Sequence, residues 1–320
     1  MHTHLLRTVT FCALLCLSLT ACTKLRKPSQ CSSQLYGYAA DSLNAQELAA
    51  VTFSSIEPYT TSVDSITRLT GRGRATQATF NTADGRYYLF SQTSTSASVA
   101  LCRIAADGSI ARYMPQQGAG YGEYDGIVWC ARDEKMYGVK RFGRGYVLFE
   151  VEIRDNGYLE HDIIPPTDPM SSWTLRYPVC IGIDNNGDIY LSRNGAVLKY
   201  TPQTGLMAVA YYGKDLFALS YSPDAALFYG IARDTSGGQE VYSFISLSPT
   251  GTLTTIKDLP FAVNREYHSG VFDDCKNTYI LSTRTGKNWR DAMLFHINAD
   301  GTNTRARITN ALYQGLAVRY

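Results

Sequence analysis

Short apolar runs broken at close intervals by Gly, Asn, Asp and Pro fill the chain from residue 32 onward. The stretch 179–211 reads as VCIGID, a DNNG turn, DIYLSR, AVLKYTPQTG and LMAVAY: four short β-strands joined by turns. Runs of that length with turn residues between them predict antiparallel hairpins. Outside the N-terminal leader no segment has a convincing helical period, although Asp41 to Ala50 could form a turn or two of helix.

Two marks repeat along this pattern. An apolar-Tyr step recurs at Leu35-Tyr36, Tyr87-Tyr88, Met136-Tyr137, Ile189-Tyr190, Phe228-Tyr229 and Thr278-Tyr279, with the second residues 52, 49, 53, 39 and 50 apart. A strand ending in a glycine turn follows five of these steps, at Gly108, Gly157, Gly205, Gly251 and Gly301, spaced 49, 48, 46 and 50 apart. Four strands per repeat of roughly 40–50 residues is the signature of a β-propeller. GLAVRY at 315–320 has the form of a first strand, and SSQLYGY at 32–38 that of a second strand with no first before it. Joined, they complete one blade and leave no open sheet edge. The expected fold is all-β, a six-bladed propeller of four-stranded antiparallel blades. Its blades run roughly 32–70 with 315–320, then 71–114, 115–164, 165–211, 212–258 and 259–314. GIDNNGDIYLSRNGAVLKYTPQTG resembles an NHL-type or gluconolactonase-like propeller unit, and YSPDAALFYG is similar to the units of TolB-like propellers. The resemblance implies fold and not activity, because propellers host many unrelated functions. No WD pattern, paired-glycine kelch motif or sialidase Asp-box is present, and no lactonase metal ligand can be matched, so no catalytic residue is carried over.

The first 21 residues have the parts of a secretory signal: a short basic start with Arg7, then the apolar run TVTFCALLCLSL, too short to span a bilayer stably. Leu19-Thr20-Ala21-Cys22 resembles the lipobox of bacterial lipoproteins. The resemblance implies cleavage before Cys22 and acylation of Cys22, an anchor of two or three chains where one would be marginal. The alternative is an ordinary signal peptide with a coincidental Cys. Residues 22–31 then form a polar tether, and 32–320 the propeller. Thr23 in place of Asp favours the outer membrane, with the leaflet open. A tether of about ten residues at ~3.3 Å each, entering the outer region of the blade that both chain ends complete, holds the propeller within roughly 30–35 Å of the bilayer.

Composition adds three limits. The formal charge of +2 falls to +1 without Arg7, which argues against nucleic acid as a partner. Five cysteines remain in the body: Cys31, Cys102, Cys130, Cys180 and Cys275. An exported chain permits disulfides, but an odd number leaves at least one thiol free, and Cys102, Cys130 and Cys180 fit buried strand positions. Asp184-Asn185-Asn186-Gly187-Asp188 begins like a calcium loop, yet Ile189 and Gly195 stand where Gly and Glu are needed. It reads as a hairpin turn; no cofactor is called for, with calcium here the weak alternative.

In a propeller the links into each inner strand, and those between second and third strands, open on one face around the channel. Concave sites with converging polar groups are the default binding place. The first set of links carries the candidate ligand-binding residues Arg72, Arg74, Tyr124, Trp173, Arg176, Tyr177, Arg265, His268 and Tyr313. The second adds Arg141, Arg144, Arg284, Lys287, Trp289 and Arg290. Arginine with aromatic rings suits stacking on planar or sugar faces while holding an anionic group. The structural alternative is that Tyr124, Tyr177, Tyr267 and Tyr313 only wedge neighbouring blades. His296 lies within an apolar strand and reads as structural; His161 reads as solvated just after an outer strand. The leading function is a binding or scaffold role at the envelope, for a glycan, peptide or partner protein. The rivals are an envelope hydrolase or lyase acting on a glycan or lactone, and a structural subunit of an outer-membrane assembly.

Overall fold

A computed structural model describes residues 31–40, 50–56, 63–70, 77–92, 99–116, 123–142, 145–164, 179–193, 195–264, 268–285, 292–309 and 312–320. Chain contacts divide the molecule into Ser33–Arg319 and a unit made of Met1–Ser32 with Tyr320. The larger unit is a β-propeller. Among the described residues its strands form six four-stranded antiparallel sheets. One contains β1 (Gln34–Ala40), β2 (Ala50–Ile56) and β3 (Val63–Thr70). The next holds β4 (Thr79–Asn81), β5 (Arg86–Gln92), β6 (Val99–Ile104) and β7 (Ile110–Tyr113), followed by β8 (Glu123–Cys130), β9 (Lys135–Phe142), β10 (Gly145–Arg154) and β11 (Gly157–Ile164). Then come β12 (Cys180–Ile183), β13 (Ile189–Arg193), β14 (Ala196–Thr201) and β15 (Gly205–Tyr211), and β16 (Asp215–Ser222), β17 (Leu227–Asp234), β18 (Val241–Leu247) and β19 (Leu253–Leu259). The last in chain order is β20 (His268–Asp273), β21 (Thr278–Arg284), β22 (Ala292–Asn298) and β23 (Thr304–Ile308). A final strand, β24 (Leu312–Arg319), joins the first sheet in the order β24-β1-β2-β3.

The inner strands β4, β8, β12, β16, β20 and β24 each touch the next in a closed ring. Closure comes from the two chain ends, with Leu35 opposite Val318 and Ala40 opposite Leu312. Two boundaries differ from the sequence reading. The closing strand begins at Leu312, so the preceding sheet ends at Ile308. The N-terminal segment also enters beside the inner strand, as the second strand of its sheet, and not at the outer part of the blade. The first-strand position was already filled from the C-terminus.

Both repeating marks have a structural cause. The tyrosines of the apolar-Tyr steps fall in the second strand of each sheet and are all buried. The marking glycines stand at positive φ in the turns between third and fourth strands, at 83, 150, 71, 93 and 73° from Gly108 to Gly301. The core is a set of clusters at blade junctions. Tyr190, Leu216 and Phe228 join one pair of blades, for example, and Leu35, Ile280, Leu294, Tyr313 and Leu316 another.

An inner strand has one edge facing its neighbour, and its amides must find acceptors. Side chains of the preceding blade supply them in turn. Thr79 Oγ1 accepts from Trp129 N–H (3.1 Å), Asp125 Oδ2 from Val179 (2.9 Å) and Cys180 Sγ from Ala218 (3.0 Å). Ser220 Oγ accepts from Phe272 (2.9 Å) and Ser269 Oγ from Leu316 (2.9 Å). At the remaining junction the Tyr87 hydroxyl donates to the Gly315 carbonyl. Gly315 has φ +57°, and a Cβ there would lie 2.7 Å from the Tyr87 hydroxyl, so only glycine fits without displacement.

Cys102, Cys130 and Cys180 are free and buried, as their strand positions imply, while Cys31 and Cys275 are disulfide-bonded. His296 is buried in β22, and burial lowers its pKa to about 4. His161 lies within β11 and not after it; it is exposed and 2.7 Å from Glu152.

Candidate binding mouth

One face of the ring gathers the starts of the inner strands and the β9–β10, β13–β14, β17–β18 and β21–β22 links, as the registers Glu123↔Arg141, Cys180↔Ser192 and Asp215↔Arg233 require. This face is the mouth. The segments 71–76, 165–178 and 265–267 begin and end at strands opening on it. Arg72, Arg74, Trp173, Arg176, Tyr177 and Arg265 lie outside the described residues, as does Cys22.

The other three predicted residues are described, and all are buried. Tyr124 is the second residue of β8; its ring packs on Phe90 and Phe149, with centroids 4.5 and 5.8 Å away. Its hydroxyl donates to Glu160, whose other oxygen pairs with buried Lys140. Burial raises the Tyr124 pKa far above the usual phenol range. Tyr313 sits in β24 among Leu35, Ile280 and Leu294, and its N–H donates to Ser282 Oγ at 3.1 Å. His268 opens β20 with Nδ1 3.1 Å from the Asn264 carbonyl and its ring 4.9 Å from that of Phe217. Tyr124 and Tyr313 occupy blade junctions, in the wedging arrangement that was the structural alternative.

Asp125, absent from the candidate set, is a buried acid at the mouth. A register irregularity between Tyr124 and Gly126 marks a bulge in β8 at this residue. Its carboxylate accepts from Val179 N–H, and Oδ1 lies 3.3 Å from Arg141 Nε. Arg141 also pairs with the half-exposed Glu123 at 2.6 Å. Burial pushes the Asp125 carboxyl up to about 6, against the lowering pull of Arg141 and of the Val179 amide. Arg193, buried at the end of β13, lays its guanidinium over the Tyr146 ring at 4.5 Å. The sequence signal that could have found it is Gly126, because a glycine inside a strand often marks a bulge.

Below this cluster Gln77 reaches across the ring. Its Nε2 donates to the Ile181 carbonyl (3.0 Å) and its Oε1 accepts from Ile181 N–H (2.7 Å), tying the blade of β4 to that of β12. Space there is tight, since a Cβ on Gly126 would come within 2.9 Å of Gln77 Oε1. Among the described residues elsewhere on the rim, Arg233 pairs with Asp215 (3.0 Å) and with Glu240, and Lys214 with Asp234 (3.1 Å). Asp184 accepts from the amides of Asn186 and Asp188 at 2.9 and 3.0 Å, and Gly187 has φ +76°, so the DNNG segment is a side-chain-capped turn. It lies on the face away from the mouth. Among the described residues no three His, Cys, Asp or Glu side chains are grouped to hold a metal ion.

No protein-family model matches the chain, and no curated protein matches it. Solved structures do. TolB from Acinetobacter baumannii is similar with a TM-score of 0.64 and 11% identity, over 90% of this chain and 66% of that one. This chain therefore spans a little under two thirds of that TolB. A chain of the nidogen/laminin complex gives a TM-score of 0.60 at 11% identity, over 90% of this chain and 98% of that one. A gluconolactonase from Xanthomonas campestris gives 0.50 at 11% identity, over 87% and 86%. At such identities the likeness shows the fold alone.

Proposed function

We propose that this chain is a lipid-anchored protein of the bacterial envelope whose propeller mouth binds a glycan, a peptide or a partner protein without chemically changing it. The observation that carries the reading is how the reactive side-chain types at the mouth are used. Asp125, His268, Tyr124 and Lys140 are buried in contacts that join strands or blades. The groups facing outward are rim charges such as Glu123 and Glu240, and the Arg- and Trp-bearing links begin and end among them. That division favours recognition over bond-making. The lipobox sequence supports the envelope address, and disulfide-bonded Cys31 and Cys275 fit an oxidising compartment. A similar propeller found in a protein–protein complex, nidogen with laminin, is compatible with a partner-binding role.

A hydrolase acting on a lactone or glycan is the second reading. It is favoured by Asp125, a carboxyl held near pKa 6 beside Arg141, in the range where a side chain can exchange protons near neutrality. The soluble 31–320 fragment on a glycan array, with and without calcium, together with a pull-down of the lipidated protein from envelopes, separates the two. Binding without turnover supports recognition; turnover of a lactone or glycan supports the hydrolase. Trp173→Ala, Arg176→Ala and Arg265→Ala are expected to weaken binding at least tenfold together, with an unchanged melting temperature, because stacking and charge contacts to a ligand each contribute ~1 kcal/mol or more. Unchanged binding would remove the mouth from the account.

A further inference from the structure

We infer that the mouth is turned away from the bilayer that anchors the chain, so that its partner is met on the side away from that bilayer and is not one of its lipid headgroups. This rests on the lipid-anchor reading of Cys22. The propeller unit fixes where its own N-terminal segment enters. Ser33 Oγ donates to Asp273 Oδ2 at 2.6 Å, and Lys276 Nζ donates to the Ser33 carbonyl at 3.4 Å. Asp273 is fully buried and pairs with Lys276 at 3.4 Å, so Ser33 is held by a carboxylate that cannot swing away. Asp273 to Lys276 form the tight link from β20 to β21, through a single 3-10 turn at Asp274–Lys276.

That link is at the far end of its sheet from the mouth. The other end of the same strand pair, His268↔Thr283, opens on the mouth. Strand direction agrees independently. β1 starts at Gln34 beside Arg319 and runs toward Ala40 beside Leu312 at the mouth. The chain therefore enters on the face opposite the mouth.

Lengths decide whether the tether could undo this. Ten residues separate Cys22 from Ser33, and at ~3.3 Å each they reach at most roughly 35 Å. A blade is nearly as tall: the ten residues of β10 span roughly 33 Å at ~3.3 Å each. Placing the mouth on the bilayer would need the whole tether stretched along the side of the propeller, with its conformational freedom lost.

The test uses the acylated protein in vesicles that carry a headgroup-attached energy acceptor. A donor dye is placed by Ala106→Cys, on the exposed β6–β7 turn opposite the mouth, or by Gln239→Cys, on the exposed β17–β18 link at the mouth. The native thiols Cys102, Cys130 and Cys180 are buried and stay unlabelled. Energy transfer from position 106 is expected to exceed that from 239 by about twofold, given a strand height of roughly 25–33 Å. Inserting twenty Gly/Ser residues after Gln30 is expected to erase most of the difference. Mass spectrometry of Cys22 reads the anchor separately. Equal or reversed transfer from an acylated chain overturns the orientation alone, and a chain without acyl groups that does not bind vesicles overturns the anchor and the orientation together.

Discussion

Asp125 and His296 are two buried titratable side chains that should leave opposite signatures in the pH dependence of stability. The Asp125 carboxyl is raised from 3.8 to about 6, so the folded chain holds its proton more tightly than the unfolded chain between those values. Stability from this group falls as pH rises through that window, with a ceiling of roughly 3 kcal/mol. His296 is lowered from 6.5 to about 4, so the unfolded chain takes the proton first and stability from this group falls as pH drops from 6.5 to 4. Asp125→Asn should therefore gain melting temperature relative to the parent as pH goes from 4 to 7, and His296→Gln should lose it. Parallel differences for the two variants would contradict the burial assigned to them. The residue scale is also where sequence was least informative. His296 was legible as structural because it interrupts an apolar run. Tyr124 and Tyr313 were not, because a tyrosine near the start of an inner strand can turn to the mouth or to the blade junction. In β8 the bulge at Asp125 shifts the alternation on which such an assignment depends.

Strands and their turns were far more legible. The apolar-Tyr step works because the second strand of each sheet must fill the junction with a large ring, and the glycine mark because the turn before each outer strand needs positive φ. What periodicity could not supply is how inner strands satisfy their edges. The acceptors are a threonine, an aspartate, a cysteine and serines at equivalent places, which share chemistry and no residue type. Removing one leaves a buried amide without its partner, at a cost of about 1–3 kcal/mol. Ser269→Ala and Ser282→Ala, which strip acceptors from Leu316 and Tyr313, should each lower unfolding free energy by about that amount in urea titrations, with the slope unchanged. A loss under ~0.3 kcal/mol for both would show that these contacts are incidental.

For the whole molecule, the ring closes only because its last strand pairs with its first. Leu312, Tyr313, Gln314, Leu316 and Ala317 of β24 are all buried, so deleting 312–320 removes an entire inner strand. Such a loss exceeds the ~5–15 kcal/mol that keeps a domain folded, and the truncated chain should show no cooperative unfolding. Moving 312–319 ahead of residue 33 through a short turn should restore it, since Arg319 already lies opposite Gln34. The closure was legible in the sequence as a strand lacking at each end. The face on which the inner strands start was legible too, while most of the residues assigned to it lie outside the described residues. The mouth's most direct test is site-specific photo-crosslinking of the lipidated protein in its envelope, with the probe at Gln239 on the mouth or at Ala106 on the opposite face. A discrete adduct from 239, absent from 106 and lost on Arg176→Ala with Arg265→Ala, is the predicted result; an adduct from 106, or none from 239, would contradict a mouth that works by recognition.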